Sequence, residues 1–391
     1  MNILIVSPVG THPYTYGHRA RVLQLSRMIT GLGHQVTLAC WPRADSPDYP
    51  MMKEYWGEQL IWLDPTLASR TLVGSARRFV HRAVHKSWRY FRSDHAIDDW
   101  YDPRLDAIIG NISALQTYDC VIAEYVFMSR ALLAFDGKVR KLLDTHDAFS
   151  LRTRRFRSGG ISEYTWFPLS CRQERKGLKR ADAVIAIQSE EADYFRGLGS
   201  PPVFEVGHIV EILEYAGEPP DHVISFVGSN NRLNVEGCQW FADRVFPLLA
   251  SALPSVRWDV VGLIGSAMSH LPSGAKAVGT VESLTEVYRR SSVIINPVQN
   301  GSGLAIKTIE ALGACRPVVC SQVGARGLDN AIGNGLVVAN SPEEMAGEIL
   351  RLLRDPGLRR SLALRANTFA SEWNTRQTNA LRAALEDPIA T

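Results

Sequence analysis

Short apolar runs alternate with amphipathic stretches along most of this chain, and this alternation constrains the fold more than any other sequence feature. It is typical of βα units that build a parallel sheet. The amphipathic segment from His18 to Gly31 predicts the first helix, and Gly33 is placed to end it. In the first half of the chain the apolar runs predict five strands, at Asn2–Ser7, Gln35–Cys40, Cys120–Glu124, Lys141–Thr145 and Ala183–Ile187.

The pattern restarts after a break at residues 214–221, where Gly217, Pro219 and Pro220 suit an interdomain linker. The length of 391 residues also favours two domains of roughly 150–200 residues each. A helical segment is predicted from Arg365 to Leu385. The second half of the chain predicts another five strands, at His222–Gly228, Trp258–Gly262, Val293–Asn296, Pro317–Ser321 and Leu336–Ala339.

The composition is that of an ordinary globular protein, with 46% hydrophobic and 21% charged residues. A net charge of +3 does not indicate a nucleic-acid partner. The six cysteines are scattered without a CxxC pair, which argues against a zinc site or a disulfide framework and favours a reducing cytoplasm. The N-terminus resembles a first strand more than a signal peptide, and no apolar run approaches 18 residues.

The most informative stretch, Ile294–Val319, reads as strand, glycine loop, helix, turn and strand. Gly301 and Gly303 allow the backbone to turn sharply and to approach a ligand closely. A helix predicted from near Leu304 would direct unpaired N–H groups and its dipole at the loop, which suits a diphosphate. Lys307 in its first turn can add a charge, and Glu310 on the same face can accept hydrogen bonds from ribose hydroxyls.

A plainer interpretation of this stretch is a generic βαβ crossover in which the glycines only serve a turn. Lys307 and Glu310 would then pair with each other. A bare pair of glycines would favour that interpretation. The full order of Gly-Ser-Gly, Lys, Glu and Arg-Pro-Val-Val is far more specific, and it favours the ligand site.

This stretch is similar to the family-4 glycosyltransferases of GT-B fold, with their G-x-G…K…EAL…G-x-PVV signature. The resemblance implies two Rossmann-like domains that face each other across a cleft, and a C-terminal helix that crosses back to the first domain. We expect an acceptor domain over residues 1–213, the linker, a donor domain over 222–367 and the helix over 368–391. Four further segments resemble the family, at Asn2–Cys40, Leu143–Asp147, Glu174–Ser189 and Phe226–Asn231.

The resemblance implies transfer of a sugar from a nucleotide diphosphate-sugar to a hydroxyl acceptor, with retention, in surface polysaccharide or glycolipid synthesis. The chain has no DxD-type motif in a convincing loop, so we expect neither a metal ion nor another cofactor. Two rival functions stay open. One is a nucleotide-sugar epimerase on the same fold, which would convert the donor without an acceptor. The other is a catalytically weak sugar-nucleotide-binding or scaffold protein.

The chain departs from the family at three places in the donor domain. Many family members carry two glutamates eight residues apart, and here Ser302 occupies the position of the first. Many also carry an arginine directly after the glycine that corresponds to Gly228, and here that position is Ser229. The usual lysine region reads Asn234-Val-Glu-Gly237. Lys307, Arg316 or Arg232 are candidates to compensate. The expected donor contacts are Gly17, Gly228, Ser229, Gly301, Ser302, Gly303, Leu304, Lys307, Glu310 and Arg316.

His146 follows a predicted strand end, where polar residues of α/β folds commonly face ligands. By resemblance it would contact the transferred sugar or its phosphate, and the alternative is a core histidine satisfied by its neighbours. Asp147 is a candidate general base if the reaction inverts, or else a helix N-cap. With Lys307 and Glu310, these two residues complete the set of expected catalytic residues.

Three residues are expected on the acceptor. Tyr16 and His18 end a long first loop that should reach the cleft at a helix N-terminus, and Gly17 between them would contact the diphosphate. Arg152 is the nearest of four arginines to the end of the His146 strand, although a solvated basic face explains such a cluster equally well.

The segment Ser75–Arg92 reads as a basic amphipathic helix, with apolar residues on one side and arginines on the other. Such a helix can lie on an anionic membrane, or it can be a surface helix packed on its own domain. We expect a cytoplasmic protein from the scattered cysteines and the lack of a long apolar run. Peripheral contact of this helix with the inner face of the membrane is one alternative.

Overall fold

The computed structural model describes residues 1–14, 16–41, 48–65, 94–158, 167–219 and 222–387. Contacts divide the chain into two compact units. Unit 1 comprises Met1–Gly207 and Gln377–Thr391, and unit 2 comprises His208–Arg376. Within the described parts of the chain, no helix combines the length and the apolar composition that crossing a bilayer requires. The segment Ser75–Arg92 lies outside the described residues.

Unit 1 contains a parallel sheet whose strands follow the order β3-β2-β1-β4-β5-β6-β7 among the described residues, which is the order of a Rossmann-like sheet. The strands are β1 Asn2–Ser7, β2 Gln35–Cys40, β3 Leu60–Trp62, β4 Cys120–Glu124, β5 Arg140–Asp144, β6 Ala183–Ala186 and β7 Val203–Glu205. The helices are α1 Gly17–Gly31, α2 Tyr49–Trp56, α3 Leu105–Leu115, α4 Phe149–Ser158, α5 Cys171–Leu178 and α6 Ser189–Gly197.

The central strands of unit 1 are buried along their length because both faces of a parallel sheet are covered. Leu4, Val121 and Leu143 lie in the same apolar core as Phe127 of the 3-10 segment Val126–Ala134. In the register of the two strands, Glu124 at the end of β4 lies opposite Asp144 at the end of β5. Two acidic groups thus meet at the carboxyl edge of this sheet.

Unit 2 contains a second parallel sheet, with the described strands in the order β10-β9-β8-β11-β12-β13. The strands are β8 Val223–Val227, β9 Arg257–Val261, β10 Ala275–Gly279, β11 Val293–Asn296, β12 Val318–Cys320 and β13 Leu336–Val338. The helices are α7 Arg232–Trp240, which continues through the π-helical turn Phe241–Val245, α8 Phe246–Ala252, α9 Leu284–Arg290, α10 Ile306–Gly313, α11 Pro342–Arg354 and α12 Pro356–Glu386.

The expected α/β architecture is confirmed, and all ten predicted strands are present within a residue or two. The pattern missed β3, β7 and β10. Two of these have only three residues, none of them buried, and β10 is partly exposed and carries an irregularity after Ala277. The last helix is longer than predicted, because α12 begins at Pro356 and continues without a break to Glu386.

The boundary between the units follows Gly207, six residues before the end of the acceptor domain expected from sequence. Residues 208–213 belong to unit 2, because side chains of unit 2 form hydrogen bonds with the backbone of this segment. Asn374 Oδ1 accepts from Val210 N at 3.0 Å, and Trp373 Nε1 donates to His208 O at 2.8 Å. Along α12 the change of unit comes between Arg376 and Gln377, nine residues later than expected.

Candidate functional site

The glycine loop of unit 2 connects β11 to α10 and leads directly into the first turn of that helix. Gly303 has φ +73°, a conformation that favours glycine, and α10 begins two residues later than predicted. Ala305 at the N-cap has no side-chain oxygen to accept from the first N–H groups of the helix. Arg326 Nη1 donates to Gly301 O and so fixes the loop. Such a helix start is suited to bind an anion.

A buried hydrogen-bond chain holds α10 against the sheet. Asn296 Nδ2 at the end of β11 donates to Thr308 Oγ1 at 3.0 Å, and Thr308 Oγ1 donates to Gly324 O at 2.7 Å. Both Asn296 and Thr308 are buried, so the chain is shielded from water. The first turn of α10 therefore has a defined position relative to the carboxyl end of β11.

Lys307 points from this first turn toward the β8–α7 connection. Its Nζ donates to Asn234 Oδ1 at 2.5 Å and lies 4.4 Å from the centroid of the Phe226 ring. Burial lowers the pKa of Lys307 to about 8, although Cys238 and Glu310 act in the opposite direction. The lysine is thus a charged group in a partly desolvated place, where an anionic ligand would interact with it strongly.

Glu310 lies one turn further along α10 and is 30% exposed. Burial raises the pKa of Glu310 to about 7, while Lys307 opposes the shift. His208 Nε2 lies 3.9 Å from Glu310 Oε1. The buried Tyr288 also has a raised pKa, first because of burial and second because of Glu310. Glu310 is therefore an accessible carboxyl group with a strongly perturbed pKa, which is common at functional sites.

The β8–α7 connection of unit 2 brings Gly228 and Ser229 beside Asn234. Asn231 Oδ1 caps α7 by accepting from Asn234 N at 2.9 Å, and Asn234 Nδ2 donates to Ser229 O at 3.0 Å. Gly228 allows this packing, because a Cβ there would lie 2.6 Å from the Phe226 ring. The turn thus presents Asn234 Oδ1 to Lys307.

Arg316 is 2% exposed and binds the end of another helix. Its Nε donates to Tyr288 O at 2.7 Å and its Nη2 donates to Arg289 O at 3.0 Å, so the guanidinium caps the last turn of α9. These contacts do not support the predicted role of Arg316 as a donor ligand. Leu304 is also buried, which restricts any contact with a ligand to its backbone.

In unit 1, His146 lies two residues beyond β5 in a left-handed conformation with φ +58°. Its Nε2 forms a short hydrogen bond with Glu124 Oε2, and its ring stacks on Tyr125 with 3.9 Å between centroids. The His146 side chain is only 6% exposed. Next to this pair, Arg21 Nε and Nη2 bind the two carboxylate oxygens of Asp144 at 2.9 and 3.2 Å.

Glu124, Asp144 and His146 offer three possible metal ligands whose atoms lie within 4.8 Å of one another. The guanidinium of Arg21 already binds both oxygens of Asp144 and balances its charge. The imidazole and Glu124 are bound to each other. The possible metal ligands are therefore already engaged in two hydrogen-bonded pairs, Arg21–Asp144 and His146–Glu124. The expectation that the protein needs no metal ion stays a prediction.

Asp147 and Arg152 lie next to this cluster and are paired, with 2.5 Å between Arg152 Nη1 and Asp147 Oδ2. The Arg152 guanidinium also lies 4.3 Å from the centroid of the Phe149 ring. The backbone N–H groups of Phe149 and Ser150 at the start of α4 donate to the buried Glu174. Asp147 and Arg152 thus offset each other's charge, and no described contact tests their predicted roles in catalysis and acceptor binding.

The first loop of unit 1 brings Tyr16, Gly17 and His18 to the start of α1. Tyr16 occupies the N-cap without a side-chain hydrogen bond, and the rings of Tyr16 and His18 stack with 5.7 Å between centroids. Gly17 is exposed, and the two aromatic side chains are half-buried. This accessible helix start agrees with the ligand contact predicted for the loop, which remains untested.

Comparison with known proteins assigns both units. Residues 16–206 match the family model described as "Glycosyl transferase 4-like domain", and residues 221–355 match the one described as "Glycosyl transferases group 1". Anabaena HepE, solved in complex with UDP and glucose, superposes with a TM-score of 0.66 at 14% identity and covers 98% of this chain and 100% of its own. The chain belongs to the glycosyltransferases of GT-B fold.

Two relatives of known sequence are also similar to this glycosyltransferase. An "Uncharacterized 44.6 kDa protein in cps region" of Klebsiella pneumoniae is 24% identical over 394 residues, which are 95% of each chain. The D-inositol 3-phosphate glycosyltransferase of Nocardiopsis dassonvillei is 28% identical over 242 residues, which are 51% of this chain and 54% of the relative. The predicted transfer from a nucleotide-sugar donor is confirmed at this level.

Sequence reasoning missed the partners of the predicted residues in this glycosyltransferase. Asn234 was noted only in the comparison with the family and not as a site residue, yet it binds Lys307. Glu124 and Tyr125 were not singled out, although they surround His146. A polar residue at the end of an otherwise apolar strand was the available signal for Glu124.

Proposed function

We propose that this glycosyltransferase transfers a sugar, with retention, from a nucleotide diphosphate-sugar to a hydroxyl of a growing surface polysaccharide or glycolipid. One observation carries the proposal, namely that α10 places Lys307 and Glu310 in its first two turns, directly after the glycine loop. We further propose that the chain is a family-4 member of the subset with a Gly-Ser-Gly loop, and that it binds the donor in unit 2.

The donor diphosphate would lie at the start of α10, where the N–H groups of the helix and Lys307 offset its charge. Glu310 would accept hydrogen bonds from the ribose hydroxyls. Ser229 and the stretch Asn234-Val-Glu-Gly237 stand where many family members carry basic residues, so Lys307 would take over their electrostatic role. Its hydrogen-bond partner Asn234 is neutral, so this contact does not offset the charge of the ammonium.

In a retaining reaction of this kind, the leaving diphosphate and the acceptor hydroxyl act on the same face of the sugar. No protein nucleophile is required, and stabilising the leaving diphosphate is the main catalytic contribution. We propose that helix N–H groups and Lys307 supply this stabilisation without a metal ion. Equal turnover with and without EDTA supports this part, and restoration of lost turnover by Mg²⁺ contradicts it.

The acceptor class rests on relatives. The Klebsiella relative is named for a cps region, which supports a role in polysaccharide synthesis for this chain. Tyr16, His18 and Arg152 of unit 1 are the proposed acceptor contacts. Peripheral membrane contact through Ser75–Arg92 is tested by liposome binding, which should be lost when Arg78, Arg82 and Arg89 are replaced by Glu.

The first test is a thermal-shift screen against UDP, GDP, dTDP, ADP and CMP. A ligand that binds the folded state raises Tm as its concentration exceeds Kd. We expect a shift with one nucleoside diphosphate that is lost in Glu310→Ala and retained in Glu343→Ala, a control at an exposed glutamate of the same unit. No shift with any nucleotide would contradict the donor site.

The second test uses the donor that corresponds to this nucleotide. NMR of the product should show the same anomeric configuration as the donor sugar. An inverted product would contradict retention and restore Asp147 as a candidate base. Conversion of the donor without any acceptor would instead identify an epimerase.

A further inference from the structure

We propose that Glu124 and Tyr125 are positioning residues that hold the imidazole of His146 through Nε2 and one ring face, leaving Nδ1 for a hydroxyl of the substrate. The inference deepens the proposed function, because it rests on His146 as a substrate-binding residue. The supporting observation is the joint placement of the three side chains at the carboxyl edge of β4 and β5.

The sheet topology brings the three residues together. Glu124 ends β4 and faces Asp144 in the register of β5, and His146 follows two residues later. Tyr125 directly follows Glu124, and its N–H donates to Asp144 O at 2.7 Å. The carboxyl ends of parallel strands are where ligands bind in α/β folds.

Backbone strain marks the same two loop residues. Tyr125 has φ +71° and His146 has φ +58°, and Cys315 is the third non-glycine residue with a positive φ in the described chain. Bulky side chains rarely adopt this region, and strained residues persist where the surrounding structure holds them, often at active sites. Here both strained residues turn their rings onto each other at 3.9 Å between centroids.

Glu124 is a costly residue for a purely structural role. Its carboxyl group is fully buried, Oε2 binds His146, and Oε1 has no hydrogen-bond partner among the described atoms. Burial and the neighbouring Asp144 raise the pKa of Glu124, while His146 and Arg21 oppose the shift. An apolar residue would fill this place at lower cost, whereas a carboxylate fixes the orientation of an imidazole ring.

Asp144 does not duplicate this role. Both of its oxygens bind Arg21, whose Nη1 also donates to Gly207 O at 2.7 Å. His146 Nε2 is 3.9 Å from Asp144 Oδ2, which is beyond hydrogen-bonding distance. Arg21 and Asp144 therefore support the edge of the sheet, while Glu124 is the carboxylate that lies within hydrogen-bonding distance of the imidazole.

The first arm of the test detects the hydrogen bond between His146 and Glu124 by NMR and does not depend on an activity assay. In the full-length protein with ¹⁵N-labelled histidine rings, we expect a downfield N–H resonance from the His146–Glu124 bond, assigned by its loss in His146→Gln. Glu124→Leu should abolish this resonance, and Glu124→Gln should move it upfield because a neutral amide is a weaker acceptor. An unchanged resonance in Glu124→Leu would overturn the proposal.

The second arm measures catalysis with the donor found by the nucleotide screen. We expect Glu124→Leu to lower kcat by on the order of 10-fold to 100-fold with little change in donor KM, and Glu124→Gln to recover part of the loss. Tyr125→Leu removes the stacked ring and should lose activity, and Tyr125→Phe, which restores the ring, should recover most of the loss. A normal kcat in Glu124→Leu would refute the positioning role.

A matched control is Arg140→Gln at the opposite end of β5. Arg140 is also buried and donates through Nε to Ala384 O at 2.8 Å, so the variant loses a buried charged contact far along the strand. It should change Tm but neither the resonance nor kcat. If no nucleotide binds at all, the proposed function fails, but the resonance arm still decides whether Glu124 holds His146.

Discussion

The ammonium nitrogen of Lys307 lies 2.5 Å from the amide oxygen of Asn234, and these two residues are 73 positions apart in sequence. The partner is neutral, so the contact orients the lysine without cancelling its charge. Phe226 completes the arrangement with its ring centroid 4.4 Å from Nζ. Asn234 is in turn held by Ser229 O. The contact defines a pre-oriented cation beside the start of α10.

Replacing Lys307 by Met should weaken nucleoside diphosphate binding on the order of 10-fold to 100-fold. A hydrogen bond that involves a charged group contributes about 1.5–3 kcal/mol, and the methionine keeps the length of the side chain without its charge. Isothermal titration calorimetry with the nucleotide from the screen measures this change. An unchanged Kd would mean that Lys307 does not contact the diphosphate.

Two variants of Asn234 distinguish the effect of the orientation of Lys307 from the effect of its charge. Asn234→Asp should weaken nucleotide binding, because the new carboxylate pairs with Lys307 and repels the diphosphate. Asn234→Ala should have a smaller effect, since the ammonium keeps its charge and loses only its partner. Equal or tighter binding in Asn234→Asp would show that the ligand lies elsewhere.

The pH dependence of kcat/KM should follow the two titrating groups of α10. Glu310 has a pKa of about 7 and must be ionised to accept ribose hydroxyls, so activity should rise as pH increases through 7. Lys307 has a pKa of about 8 and must be protonated to bind the diphosphate, so activity should fall above pH 8. A narrow bell with a maximum between these values is expected in initial-rate measurements at subsaturating donor.

Glu310→Gln should identify the acidic limb of this profile. The amide does not titrate, so the rise through pH 7 should disappear, while the fall above pH 8 should remain because Lys307 is unchanged. Activity should also be lower at every pH, since an amide oxygen is a weaker acceptor for the ribose. An acidic limb that persists in Glu310→Gln would assign it to another group.

The amino-acid pattern predicted the sheet strands well where they are buried. β1, β2, β4 and β11 have the predicted bounds, because continuous apolar runs report burial on both faces. It failed for β3 and β7, whose three residues are half-exposed and are held mainly by their neighbours in the sheet. Tertiary pairing decides such short strands, and a local pattern contains no information about it.

The candidate site was also predicted only where local sequence spacing determines it. Helical spacing was enough to place Lys307 and Glu310 on one helix beside the glycine loop. It did not show that Lys307 binds Asn234, and Arg316 was suggested as a donor ligand to compensate for the departures at Ser229 and Ser302. Arg316 instead reaches the carbonyls of α9, 27 and 28 positions earlier, which only the packing of the helices determines.

Arg316 should therefore affect stability more than binding. Arg316→Leu removes the hydrogen bonds to Tyr288 O and Arg289 O at the end of α9, which should cost about 1–3 kcal/mol and lower Tm by several degrees. Nucleotide Kd should stay within about 3-fold of wild type, since that is less than 1 kcal/mol. A much weaker Kd with an unchanged Tm would return Arg316 to the donor site.

The close packing of two turns at the carboxyl edge of the unit 2 sheet depends on Gly262. It has φ +99°, and a Cβ on it would lie only 2.3 Å from Gly228 O. Backbone atoms cannot yield as a flexible side chain can, so Gly262→Ala should destabilise the protein by at least about 2 kcal/mol. Chemical denaturation with the fluorescence of the nine tryptophans measures the change.

Gly347 provides the matched control, because it lies exposed within α11 with no heavy atom within 4 Å of an added Cβ. Gly347→Ala should stabilise the protein by about 0.5–1 kcal/mol through the higher helix propensity of alanine. If Gly262→Ala were as stable as Gly347→Ala, the two turns could not approach as closely as the structure shows. Since Gly228 begins the connection that carries Asn234, Gly262→Ala should also weaken nucleotide binding in the fraction that remains folded.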